Sequence, residues 1–214
     1  MSNSNSNSFN SNSGSNRIDN GGPAATLPFS AHFDLLSGLS KDYESTKRPL
    51  SRMAGMYEDD EAFRAQVAGG DPNVYEFYEL TMPESANELL FGTSIVYPGK
   101  VGREYYMTKG HFHTILDTPE VYYCLSGEGY MLMENPEGDW KAERFTPGQA
   151  VYVPPRYAHR SINVGEQPLV TFFVYRADSG HDYGTIETKG FRKLIVERDG
   201  LAVIVDNPRW SRQE

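Results

Sequence analysis

Three histidines and one glutamate offer the clearest chemistry in this 214-residue chain. His111 and His113 stand two apart, a spacing that on an extended strand turns both imidazoles to one face, where they can grip a single ion. Glu120 lies seven residues beyond His113, and Leu116-Asp117-Thr118-Pro119 between them reads as a turn that returns the chain on a neighbouring strand. His159 follows Pro147-Gly148, the apolar run Ala150-Val151-Tyr152-Val153, and Pro154-Pro155. Taken singly, each histidine is an ordinary hydrogen-bonding residue, and His-Phe-His is equally well a pair of outward polar residues on an amphipathic strand. Taken as a set, three imidazoles and a carboxylate suit Fe²⁺, Mn²⁺, Ni²⁺ or Zn²⁺ and leave positions for water or substrate oxygens. No thiolate is present to select zinc.

Short strands are expected to position this set. Segments rich in Val, Tyr, Phe and Ile, divided by Gly, Pro and Asp turns, predict strands at 74–80, 91–97, 104–107, 121–125, 130–134, 150–153, 169–175, 193–197 and 201–205. With no helices alternating between them, the fold class is all-β and mainly antiparallel, a sandwich, jelly roll or small barrel. Gly127-Glu128-Gly129 and Glu137-Gly138-Asp139 supply reversals where hairpins need them. One helix is predicted at 58–67, with acids in its first turn, Phe63 and Val67 four apart, and Gly69-Gly70 at its end. The apolar stretch 27–36 reads as an arm or edge strand. On the strand at 121–125, Tyr122 and Tyr123 must face opposite ways.

Composition narrows the setting. The first sixteen residues are almost all Ser, Asn and Gly, which cannot bury enough apolar surface to offset chain entropy. A disordered tail is therefore expected over 1–26 and a single domain over 27–214. The tail has neither the basic end and apolar run of a secretory signal nor the arginines of a transit peptide. No apolar run reaches the ~20 residues that span a bilayer, and a net charge of −9 argues against nucleic acid or an anionic membrane as partner. The lone Cys124 rules out an intrachain disulfide and fits a reducing compartment, the cytoplasm; it reads as a small buried residue rather than a nucleophile.

Gly110-His111-Phe112-His113, Glu120 and Gly127, followed by Gly148, Pro154, His159 and Asn163, resemble the two motifs of the cupin superfamily. Six residues between His113 and Glu120, Tyr105 in place of the usual first glycine, and Arg156 in place of a later one point to a particular subfamily. Tyr97-Pro98-Gly99-Lys100-Val101-Gly102, Met107-Thr108-Lys109-Gly110, Ala177-Asp178-Ser179-Gly180-His181-Asp182-Tyr183-Gly184 and the closing Val205-Asp206-Asn207-Pro208-Arg209-Trp210 are similar to the cupin-type phosphoglucose isomerases of archaea and some bacteria.

That resemblance implies a cupin jelly-roll β-barrel with a few short peripheral helices, a homodimer, and a metal-dependent exchange of glucose 6-phosphate with fructose 6-phosphate. It implies one divalent metal per subunit, Fe²⁺ first, with Mn²⁺, Ni²⁺ or Zn²⁺ as alternatives, on His111, His113, Glu120 and His159. It also implies substrate contacts from Tyr75, Ser94, Thr108, Gly110, Tyr122 and Tyr175, with the phosphate near Thr108 and Gly110. Glu120, His181 and Tyr183 then carry the catalytic roles. The residues themselves are compatible: Thr108-Lys109-Gly110 combines a hydroxyl, backbone N–H groups and close approach at glycine, although it also reads as a polar bend. Glu120 has the residue type of a base moving the C2 proton, or it serves as ligand alone while His181 or Tyr183 moves hydroxyl protons. A dioxygenase using the same ligands, an isomerase that also accepts mannose 6-phosphate, and a non-enzymatic sugar-binding or storage protein are the competing readings.

Overall fold

The computed structural model describes residues 28–80 and 82–210, together with the backbone of Arg17–Ile18 (β1) and Ala25–Thr26 (β2), which pair antiparallel. The remainder of the expected 1–26 tail lies outside the described residues. The strands that follow are β3 (Thr46–Pro49), β4 (Asn73–Glu79), β5 (Leu89–Val96), β6 (Lys100–Val101), β7 (Glu104–Tyr105), β8 (Glu120–Ser126) and β9 (Gly129–Glu134). They continue with β10 (Trp140–Phe145), β11 (Ala150–Val153), β12 (Ala158–Asn163), β13 (Leu169–Arg176), β14 (Lys193–Arg198) and β15 (Leu201–Asp206). Two helices, α1 (Asp60–Ala68) and α2 (Gly184–Lys189), and a 3-10 turn at Leu50–Met53 complete the described elements. No described helix is long and apolar enough to cross a membrane.

A six-stranded antiparallel sheet in the order β11-β8-β13-β5-β4-β3 faces a three-stranded sheet in the order β10-β9-β12. Alternation along β8 turns Glu120, Tyr122 and Cys124 inward and leaves Val121 and Tyr123 exposed, as the strand period requires. Tyr75, Val96, Cys124 and Phe173 from the larger sheet share one core with Met131, Leu132 and Ile162 from the smaller. Burial pushes the Cys124 thiol up to about 11, in keeping with a packing role. The expected jelly-roll architecture is borne out as facing, antiparallel sheets, although no ladder among the described strands runs continuously round to close a barrel. A third sheet, β15-β14-β7-β6, lies at the periphery.

Both glycine-centred reversals occur where expected, between β8 and β9 and between β9 and β10. At Gly127, φ is +76° and a Cβ would lie 2.3 Å from the Pro168 carbonyl oxygen, so only glycine fits. Helix α1 begins two residues later than expected because Asp59 caps it, accepting from Ala62 N at 2.9 Å. The described part of 27–36 is an arm without strand pairing. Its Phe29 stacks on Phe91 at 6.0 Å and its Phe33 meets the edge of Tyr78 at 6.1 Å, while Leu35 and Leu36 stay exposed.

Strand β12 was not expected, and it is the element that carries His159. Ala158-His-Arg-Ser-Ile-Asn lacks an apolar alternation because both edges and both faces are buried. β9 pairs one edge in register His159↔Met133. On the other edge the 106–111 segment bridges at Met107↔Ile162 and His111↔His159. The His-Phe-His segment itself forms only isolated bridges, His111 to His159 and Phe112 to Asp182, and is not part of a continuous strand, which corrects the premise that it lies on one.

Candidate metal centre and cleft

His111, His113, Glu120 and His159 are all buried, and one ligand atom from each lies within 4.8 Å of the others. Extended backbone at 111–113 turns both rings inward while Phe112 packs the opposite way into the core. The ring centres of His111 and His113 are 5.7 Å apart, those of His111 and His159 4.6 Å, and those of His113 and His159 5.6 Å. Glu120 reaches the same point from the first residue of β8.

The hydrogen bonds around the rings fit a cation. His113 Nδ1 lies 2.9 Å from the Thr118 carbonyl oxygen, which can only accept, so Nδ1 carries the proton and Nε2 presents its lone pair. That lone pair faces Glu120 Oε2 at 3.1 Å. His159 Nε2 approaches the same oxygen at 2.9 Å without hydrogen-bond geometry, and its Nδ1 faces the Tyr157 carbonyl at 3.4 Å. His111 Nε2 is buried with no hydrogen-bond partner. Lone pairs gathered around a buried carboxylate oxygen repel one another unless a positive charge sits among them.

Protonation states agree. Burial, reinforced by the neighbouring imidazoles, holds His111 well below the ordinary histidine range and so neutral. For Glu120, burial acts upward, but the neighbouring imidazoles of His159 and His113 outweigh it and bring the carboxyl down to about 2, so it is ionised. Tyr122 is pushed well above its ordinary value by burial and then by Glu120, to which it is hydrogen-bonded, so its phenol stays a donor to that carboxylate. The donor set therefore fits a divalent ion.

A cleft opens onto this cluster. Tyr75, Ser94, Thr108, Gly110, His111, Glu120, Tyr122, His159, Tyr175, His181 and Tyr183 all line it; His113 belongs to the cluster but not to the wall. His181 stands against His111 at 4.4 Å and stacks with Tyr183 at 5.7 Å.

A family model described as glucose-6-phosphate isomerase matches residues 47–210. The chain belongs to the glucose-6-phosphate isomerase family. A glucose-6-phosphate isomerase of Thermococcus litoralis is 46% identical over 183 residues, covering 86% of this chain and 96% of that protein. One of Pyrococcus furiosus is likewise 46% identical, over 86% of this chain and 98% of its own. A solved oxalate oxidase structure superposes with a TM-score of 0.45 at 14% identity, covering 55% of this chain and 58% of that one, a likeness too partial to bear on function.

In this member of the glucose-6-phosphate isomerase family the cleft also takes in Lys109 and, beyond the residues that motif reading singled out, Phe77, Glu79, Ser161 and Phe173. Strand period would have found three of them: Phe77 and Glu79 follow Tyr75 at two-residue steps on β4, and Phe173 precedes Tyr175 on β13. Glu79 accepts from the Tyr175 hydroxyl at 2.5 Å. Burial, then the charge of Glu79, drives Tyr175 far above the ordinary phenol range.

The Thr108–Gly110 segment forms a donor wall. Ser161 N–H donates to Thr108 Oγ1 at 3.1 Å, leaving the hydroxyl proton free to point elsewhere. Among the described residues the Gly110 N–H has no protein acceptor. Gly110 itself sits at φ +76°, where a Cβ would lie 2.7 Å from the Phe191 ring and 2.9 Å from the His159 carbonyl oxygen. Gly110→Ala is therefore expected to displace β12 and the His111 backbone together. Catalysis should fall by about a hundredfold, with about 1–3 kcal/mol of stability lost, as read by steady-state rates and urea unfolding.

Proposed function

We propose that this cleft interconverts glucose 6-phosphate and fructose 6-phosphate with one divalent ion held by His111, His113, Glu120 and His159. The observation that carries it is the meeting, in one cleft, of a buried three-histidine, one-carboxylate cluster with the Thr108–Gly110 donor wall. Fe²⁺ is the first choice of ion, with Mn²⁺, Ni²⁺ and Zn²⁺ as alternatives that the same donors accept.

Moving a hydrogen between C1 and C2 builds negative charge on O1 and O2. When bound, the ion supplies Lewis acidity for that charge. The protein supplies the rest. Thr108 and the Gly110 N–H hold the phosphate end, while Tyr75 and Ser94 on β4 and β5 hold the sugar chain. Burial keeps His181 below its ordinary pKa, and so neutral and able to accept a proton, although Glu79 and Glu120 oppose the shift. Tyr183 is raised to about 12, first by burial, and remains a donor. Both side chains line the cleft, where the same residue, His181 or Tyr183, can take a hydroxyl proton at one oxygen and return it at the other. In this reading Glu120 carries the C2 proton to C1 in addition to ligation, a role supported by its lying in both the cleft wall and the cluster.

Residues 27–214 act as one domain, and the exposed Leu35 and Leu36 of the arm, with Leu39 just beyond it, support a homodimer. The buried, unpaired Cys124 supports a cytoplasmic setting. The test is conversion of fructose 6-phosphate by protein loaded in turn with each of the four ions. Glucose 6-phosphate should form without oxygen uptake; no conversion with any ion contradicts the proposal.

A further inference from the structure

We propose that Arg48 is the cationic contact for the phosphate of the sugar phosphate, an inference that rests on the isomerase reading of the cleft. A phosphate dianion near Thr108 and Gly110 needs positive charge, and three cations stand near that wall. Lys109 is already neutralised by Glu187, with which it forms an ion pair. Arg160 is buried behind the wall, donates to the Lys109 carbonyl and to Met107 Sδ, and lies over the Phe191 ring at 4.3 Å. Its charge is committed to holding the segment in place.

Arg48 differs from both. It lies on β3, the edge strand, in register opposite Tyr75, and is half-buried. Its guanidinium sits over the Phe77 ring at 5.4 Å, which fixes the head group against a side chain of the cleft wall. Among the described residues it has no carboxylate partner; it donates a long hydrogen bond of 3.4 Å to the Lys47 carbonyl and one to the Tyr75 phenol. Two tyrosines of the cleft feel its charge: burial raises both Tyr75 and Tyr183, and Arg48 counters the rise in each. The Tyr75 phenol is also held by the Lys109 backbone, so the same hydroxyl touches the donor wall and Arg48. A guanidinium placed there, with no carboxylate to neutralise it and with two parallel donors, matches phosphate geometry better than an ammonium would.

The experiment compares metal-loaded, full-length wild type with R48Q and R48K, measuring kcat and KM for fructose 6-phosphate and competitive inhibition by inorganic phosphate. R48Q should raise KM and weaken phosphate inhibition by about ten- to a hundredfold, with kcat within about threefold, because a charged hydrogen bond to the non-reacting end is lost. R48K, which keeps the charge, should recover part of both. Values of KM and phosphate inhibition within twofold of wild type in R48Q overturn the role of Arg48, as does an R48K variant no better than R48Q. A wild type that does not isomerise overturns the underlying reading instead. If R48Q does not fold, as shown by its melting profile, R48K alone decides: unchanged phosphate inhibition in that variant overturns the proposal.

Discussion

His159→Ala is expected to abolish metal retention and lower isomerisation by about a thousandfold or more, because this ring is the hub of the cluster. It lies 4.6 Å from His111 and 5.6 Å from His113 between ring centres, and 2.9 Å from the Glu120 carboxylate. It also meets Tyr122 edge-on at 5.6 Å, so its loss loosens the phenol that holds Glu120. Truncation at a site only 1% exposed leaves both a cavity and a buried carboxylate short of a partner. Ion content by elemental analysis and rate by coupled assay should fall together. Exposed His32, which belongs to neither the cluster nor the cleft, serves as the control: its alanine variant should match wild type in both.

Glu120→Gln keeps the shape of the side chain and removes its charge. Ion affinity should drop by about a hundredfold or more, since the one anionic donor among three neutral rings is gone, and the rate at low ion concentration should fall with it. Raising the ion concentration then separates the two roles of this residue. If Glu120 is ligand and base, saturation restores binding and leaves the rate at least about a hundredfold low. A rate that recovers fully at saturation assigns Glu120 to ligation alone and leaves the proton chemistry to His181 and Tyr183.

The four proposed ligands were legible in the sequence because few residue types bind transition metals and their spacing was uneven in an informative way. The strands were legible where one face is buried, as in β8, whose alternating Glu120, Tyr122 and Cys124 point inward. They were not legible where burial is complete. β12 has Arg160, Ser161 and Asn163 inside, where Arg160 donates to the Lys109 carbonyl, the Ser161 N–H to Thr108 Oγ1 and Asn163 Nδ2 to the Val96 carbonyl, and its sequence consequently looks like a loop. The edge strands β3 and β10, with mixed or exposed burial, likewise carry too weak an apolar pattern to announce themselves. Glu79 and Arg48 were missed for a different reason: neither belongs to a recognisable motif, and Glu79 acquires meaning only from the strand neighbours that bring it to the cleft, Arg48 from its register opposite Tyr75.

The most direct test is a titration. Protein stripped of metal by chelation is returned to Fe²⁺ without oxygen, and bound ion and conversion of fructose 6-phosphate are followed on the same samples. The rate should rise from background and saturate at one ion per chain, and the His159→Ala protein should neither take up the ion nor gain rate. Full activity in the metal-free protein, or one tightly bound ion with no gain in rate, would contradict a catalytic centre built on His111, His113, Glu120 and His159.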